Sequence, residues 1–210
     1  MKKILSTVML IGLSVYSFAQ TPLHYTIDLN DRSNDEFKVT LEVDNLTEEN
    51  AIYQFASTAP GTYQTMNIGR FVRSFEAFDK KGKTIKVEKL DINTWQLSKP
   101  SKVKTIVFNM AETWDTPVDI NPIYKMCGSS LEDDHTLFNA HCVIGYPQGR
   151  QADPIDLTFK YPKEWKVGTA LSKKNDDTFQ ANSYLIRQRL AKLESAMTVN
   201  TTNNKIPDKF

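Results

Sequence analysis

Few residues in this chain could do chemistry. Its 210 residues include three histidines, His24, His135 and His141, and two cysteines, Cys127 and Cys142. Neither His135 nor His141 opens a His-Glu-x-x-His motif. His135 is followed by Thr136-Leu137-Phe138-Asn139, and His141 by Cys142. The helical zinc arrangement, with two imidazoles on one helix face and a glutamate as base, is therefore not written here. Asp133, Asp134, His135, His141 and Cys142 offer donor types that zinc accepts, yet their spacing matches no familiar site. Ser129 and Ser130 stand near His135, but Gly128-Ser129-Ser130-Leu131 lacks the second glycine of a nucleophile elbow. No phosphate-cradling glycine loop occurs. The reading assigns no catalytic residue, no metal and no cofactor.

The compartment bears on the cysteines. Lys2 and Lys3 precede an apolar run from Ile4 to Val15, and Ser17-Phe18-Ala19 offers small residues at the two positions a signal peptidase reads. That pattern is a secretory leader over residues 1–19, too short to cross a bilayer, with Gln20 as the mature start. A periplasmic or secreted location follows, with no membrane attachment after cleavage. In an oxidising compartment Cys127 and Cys142 are expected to form a disulfide, worth roughly 3 kcal/mol in the chain-entropy account; two buried free thiols are the alternative. Lys+Arg 26 against Asp+Glu 25 leaves almost no net charge, which argues against nucleic acid as a partner.

Strict alternation marks the elements that would hold any site. Leu23, Tyr25, Ile27 and Leu29 alternate with polar residues, as do Phe37, Val39, Leu41 and Val43, with a polar turn between the two runs. Period two means strands with one face on a core and one in water. Further strands are expected at Ile52–Ser57, Phe71–Asp79, Thr84–Lys89, Asn93–Leu97, Val103–Met110, Ile155–Tyr161, Val167–Leu171 and Thr178–Tyr184. Two stretches depart from this rhythm. Glu112–Pro154 reads as a long, proline-containing connection, of a kind that is usually functional or pinned. Ile186, Leu190, Leu193 and Met197 recur at helical spacing and predict a short amphipathic helix before a polar tail. The fold class is mainly β, an antiparallel β-sandwich with a short C-terminal helix. One domain spans residues 20–184, followed by helix and tail over residues 185–210.

Most aromatics, Phe71, Phe75, Phe78 and Trp95 among them, fall at core positions of these strands. Tyr63 differs, because Pro60-Gly61 beside it forms a rigid turn that could present an aromatic ring to a ligand. Pro60, Gly61 and Tyr63 are the candidate binding residues.

These residues also carry a resemblance. Ala59-Pro60-Gly61-Thr62-Tyr63, then Gly69-Arg70-Phe71 through Phe75-Glu76-Ala77-Phe78-Asp79-Lys80-Lys81-Gly82, then Asn93-Thr94-Trp95, form an ordered set. The set resembles the N-terminal domain of the glycyl aminopeptidase family of zinc metallopeptidases, and the likeness covers Leu23 to Tyr184. It implies a β-sandwich that packs against a helical catalytic domain and helps wall its cleft, with the zinc ligands and general base further along the chain. Thr58-Ala59 stands where the family often has Trp-Thr. After Ser183-Tyr184 the sequence runs into Leu185-Ile186-Arg187-Gln188-Arg189 where an Asp-rich linker is usual.

The resulting expectation is a non-catalytic exported domain derived from such a peptidase, either a stand-alone paralogue or the front of a frameshifted gene. It would bind a peptide or a separately encoded catalytic domain. Alternatives are an accessory or truncated part of an active zinc aminopeptidase, and an unrelated envelope binding protein. Export is checked first: mass spectrometry of the protein from its native cells should find a mature N-terminus at Gln20, and an intact Met1–Ala19 segment in the exported fraction would refute cleavage.

Overall fold

The structure, a computed structural model, describes residues 21–183 and the strand Ala196–Asn200. The leader, and the proposed helix from Ile186 up to residue 195, lie outside the described residues. Among the described residues the strands run β1 (Leu23–Asp28), β2 (Glu36–Glu42), β3 (Ile52–Gln54), β4 (Val72–Asp79), β5 (Thr84–Ile85), β6 (Val87–Lys89), β7 (Thr94–Leu97) and β8 (Val103–Ala111). They continue with β9 (Ser130–Leu131), β10 (His135–Asn139), the short helix α1 (Ala140–Val143), β11 (Tyr146–Pro147), β12 (Ile155–Lys160), β13 (Lys166–Gly168), β14 (Ser172–Lys173), β15 (Thr178–Ala181) and β16 (Ala196–Asn200).

The alternation in β1 and β2 does what period two requires. Leu23, Tyr25 and Ile27 are buried, as are Phe37, Val39 and Leu41, and the two strands pair antiparallel with Tyr25 opposite Leu41 and Ile27 opposite Val39. The other edge of β1 takes β12 in parallel, with Leu23 opposite Ile155 and Ile27 opposite Phe159. Around this pair grows an eight-stranded sheet in the order β14-β15-β12-β1-β2-β8-β4-β5.

Two four-stranded sheets, β13-β16-β10-β9 and β11-β3-β7-β6, complete the sandwich. Register places both on the same face of the large sheet. Phe159 stands opposite Ile27, Ile27 opposite Val39, and Val39 opposite Phe108, so these side chains share one side. Phe138 of β10 meets Phe37 and Phe159 edge-on, at centroid distances of 6.0 and 5.0 Å. Tyr53 of β3 and Phe55 just beyond it meet Phe108 at 5.9 and 5.2 Å. Phe75 of β4 stacks on both Phe108 and Trp95. The Tyr25 and Tyr53 hydroxyls, both buried, are satisfied on the backbone of Gly145. Tyr25 donates to its carbonyl at 2.6 Å, and its N–H donates to Tyr53 at 3.2 Å. Only glycine fits there, since a Cβ would lie 2.3 Å from the Gln54 carbonyl oxygen.

The segment expected as one strand, Thr84–Lys89, is divided at Lys86. There the chain leaves the large sheet, where β5 pairs with β4, and enters the small one, where β6 pairs with β7. The long connection expected over Glu112–Pro154 contains β9, β10, α1 and β11. Thr136, Leu137, Phe138 and Asn139 are all buried, so β10 carries no polar–apolar alternation by which a strand is recognised.

The last described strand differs from its reading at one position. Met197, expected to close the helix, sits in β16, which pairs with both β10 and β13 and so adds a strand to the sandwich. Thr198 and Val199 are β-branched and favour that state.

The aromatic layer should dominate stability. Phe108→Ala removes a fully buried ring that touches Tyr53, Phe55 and Phe75, and should cost about 3–5 kcal/mol in urea unfolding. A loss below about 1 kcal/mol would show that the two layers do not depend on this contact.

Candidate functional site

The three candidate residues lie on one loop between β3 and β4. Ala59-Pro60-Gly61-Thr62 is a β-turn closed by the Thr62 N–H donating to the Ala59 carbonyl at 3.2 Å, and reinforced by the Thr62 hydroxyl on the same oxygen at 2.6 Å. Proline suits the first corner, and Gly61 at φ +87° supplies the left-handed second corner of a type II turn. Tyr63 follows, also left-handed at φ +54°, with its side chain 86% exposed. A bulky residue in that region is strained by about 1–2 kcal/mol, and here the ring gains no burial in return. Below it the Met66 and Asn67 N–H groups both donate to the Ser57 carbonyl, pinning the loop's two ends together.

A second loop, absent from the sequence candidates, stands against the first. It runs from Glu112 to Ser129 and is closed at its base by the Thr113 N–H to Ser129 carbonyl bond and the Ser129 N–H to Thr113 hydroxyl bond. Glu112 is only 2% exposed and turns its carboxylate into the loop, accepting from the Trp114, Asp115 and Thr116 N–H groups at 2.8–2.9 Å. The Trp114 indole N–H donates to the Lys125 carbonyl at 2.9 Å. One amide joins the loops: Gln64 donates to the Pro122 carbonyl and accepts from the Tyr124 N–H. The Arg70 guanidinium clamps the Ile120 and Asn121 carbonyls from below.

The result is a fixed double-loop surface carrying Tyr63, Ile120 (72% exposed), Tyr124 and Met126 (83% exposed). The sequence did hold a signal for the second loop. Large apolar residues stand among polar ones and prolines, but nothing local said that their loop bonds to the one carrying Tyr63.

The cysteines depart from expectation. Cys127 and Cys142 are both free and buried, and the Cys142 thiol donates to the Cys127 carbonyl at 3.0 Å. The same carbonyl takes the His141 Nε2 proton at 3.0 Å. Burial pushes both thiols up, Cys142 with Cys127 beside it, so neither is a ready nucleophile. Of the two serines, Ser129 is engaged structurally, and the Ser130 hydroxyl is buried without a hydrogen-bond partner. The Ser129 hydroxyl donates to the Asn139 carbonyl and accepts from its N–H. Asn139 lies at the opposite end of β10 from His135, about 13 Å away at strand rise. His135 instead holds Asp134 at 2.7 Å. His24 faces Asp156 on the outer side of the large sheet, where Lys174 and Gln180 also meet that carboxylate.

Comparison with known proteins now assigns the class. A solved aminopeptidase N family protein from Idiomarina loihiensis shares the fold over 84% of this chain, at 20% identity and a TM-score of 0.68. An M1 zinc metallopeptidase from Deinococcus radiodurans aligns over 85% of this chain and 41% of its own at 9% identity, with a TM-score of 0.35 that carries no argument. This chain spans 29% of the length of the Idiomarina structure. The molecule thus shares its β-sandwich fold with part of that structure. The family described as peptidase M61 N-terminal domain matches residues 24–186, and the chain belongs to it. No curated protein matches.

Zinc chemistry of the kind implied by the family needs three protein ligands around an open position. Among the described residues no three His, Cys, Asp or Glu side chains gather to hold a metal ion. His24, His135 and His141 have the separate partners just given. The described residues do not fit zinc.

Glu112 gives this surface a pH dependence. Burial, with the Asp115 carboxyl beside it, pushes the acid from 4.5 up to about 7, outweighing its backbone N–H bonds. Because the folded value lies above the unfolded one, the contribution to stability is full below pH 4.5 and lost as pH rises through 7. Between those limits wild type should lose on the order of 1–3 kcal/mol relative to Glu112→Gln. Parallel stability–pH curves for the two proteins would refute this.

Proposed function

We propose that this chain is an exported, non-catalytic peptidase N-terminal domain that docks a separately folded catalytic unit of glycyl aminopeptidase type through the double-loop surface. The observation that carries the reading is the set of four large apolar side chains, Tyr63, Ile120, Tyr124 and Met126, held in water by loops bonded to one another. Single exposed apolar residues need no explanation, but a fixed group of them marks an interaction site. Aromatic and methionine side chains on a preorganised backbone are the groups that anchor protein interfaces. Strain at Tyr63 fits the same role, since the surrounding turn keeps the ring outside the core.

The family tie supports a peptidase catalytic unit as the partner, and the chain spans 29% of the similar structure, in keeping with zinc and base supplied from elsewhere. Family membership also removes the unrelated envelope binding protein as a reading. The leader-like residues 1–19 support export.

The test is an aminopeptidase assay with glycyl and alanyl substrates, with zinc content measured alongside, on the chain alone and with a catalytic domain of the family. The chain alone should show no turnover. Its complex should elute as one species, and Tyr63→Ser combined with Met126→Ser should weaken that complex at least tenfold without changing the melting temperature. Turnover by the isolated chain with stoichiometric zinc overturns the reading, as does failure of the loop variant to affect complex formation.

A further inference from the structure

A second surface forms where the large sheet and the β11-β3-β7-β6 sheet splay apart. β5 and β6 are nearly continuous in sequence, but β5 follows β4 while β6 follows β7, and they part at Lys86. β5 pairs only with Ala77 and Phe78. Among the described residues no strand therefore pairs with Val72–Glu76 on the side away from β8, or with Val87–Lys89 on the side away from β7.

A groove of about 350 Å³ lies along these two open edges, lined by Val72, Arg73, Ser74, Phe75, Val87, Lys89 and Trp95. Its floor is aromatic: Phe75 stacks on Trp95 at 5.3 Å, nearly parallel. Its rim is cationic. Arg73 is exposed at the bulge that interrupts the β4–β8 register, and Lys89 sets its ammonium 4.8 Å from the centre of the Trp95 ring. No carboxylate lines the groove.

We propose that this groove is a peptide-binding site that adds an extended acidic strand to the free edge of β4. An open strand edge offers a row of backbone donors and acceptors to a new strand, and neighbouring pockets read its alternate side chains. Here apolar side chains of the ligand would lie on Phe75 and Trp95, while carboxylates between them would reach Arg73 and Lys89. The two cations lining the groove favour a ligand of opposite charge. Arg73 also lines the neighbouring cleft formed with Arg70, Phe71 and residues 116–120, so a bound strand would run toward the double-loop surface. The site does not depend on that surface being an interface.

The probe is a fluorescein-labelled hexapeptide of alternating valine and glutamate, followed by fluorescence anisotropy, with a valine–lysine hexapeptide and a proline-interrupted acidic hexapeptide as controls. The acidic peptide should bind saturably, with a dissociation constant below about 100 μM at low salt, and weaken as salt is raised. Both controls should fail. Arg73→Glu and Lys89→Glu should each weaken binding at least tenfold at an unchanged melting temperature. Hydrogen exchange at the Val72–Glu76 amides should slow when peptide is added. Tyr63→Ser/Met126→Ser should bind the peptide as wild type does, which separates this site from loop docking. The proposal is overturned by no saturable binding up to about 1 mM peptide, by equal binding of the lysine peptide, by tolerance of proline, by folded Arg73→Glu and Lys89→Glu proteins that bind normally, or by self-association through this edge.

Discussion

The buried aromatic layer is the interaction on which the other features rest. Phe108 contributes the central ring, with Tyr53, Phe55 and Phe75 packed around it and Trp95 continuing the stack outward. Offset and edge-on aromatic contacts add specific geometry to the area they bury. They fix the angle at which the small sheet leaves the large one, and hence the opening between β4 and β6. The same layer anchors the start of the Tyr63 loop, since Phe55 ends the segment from which that loop departs.

Polar groups at the margins of this layer are placed with equal economy. The Gly145 backbone serves two buried tyrosine hydroxyls, Tyr25 from the large sheet and Tyr53 from a small one. Glu112 gives its carboxylate to the N–H groups of a loop that has no regular structure to satisfy them. Those N–H bonds favour the charged carboxylate, while burial and the neighbouring Asp115 carboxyl raise its pKa by more.

Much of the large sheet was legible in the sequence because it has one wet face. Leu23, Tyr25 and Ile27, and again Phe37, Val39 and Leu41, alternate with polar residues, and so do the strands they form. β10 was not legible because it is buried on both faces, which removes alternation. Lys86 carries no mark of a change of sheet, since that event is set by tertiary pairing. Pro60-Gly61 announced its turn through the dihedral needs of those two residues. Tyr124 and Met126 could not announce that their loop bonds to that of Tyr63, because the bonds run through Gln64 and Arg70 to backbone carbonyls far along the chain. The cysteine pair illustrates a related gap. Compartment chemistry argued for a bond, whereas the fold gives the Cys142 thiol a carbonyl. At Met197 the helical reading gives way to β16, which finds two edges, on β10 and β13.

The parallel union of β1 with β12 has a further meaning for biosynthesis. The second residue of the strand pair's register, His24, waits for Asp156, so one flank of the earliest strand stays vacant until most of the chain has left the ribosome. Contacts of such long sequence separation form slowly. A nascent chain of this design remains threadable for a long interval, and any polypeptide stopping short of Lys160 would leave an apolar, uncapped strand available to whatever it meets first.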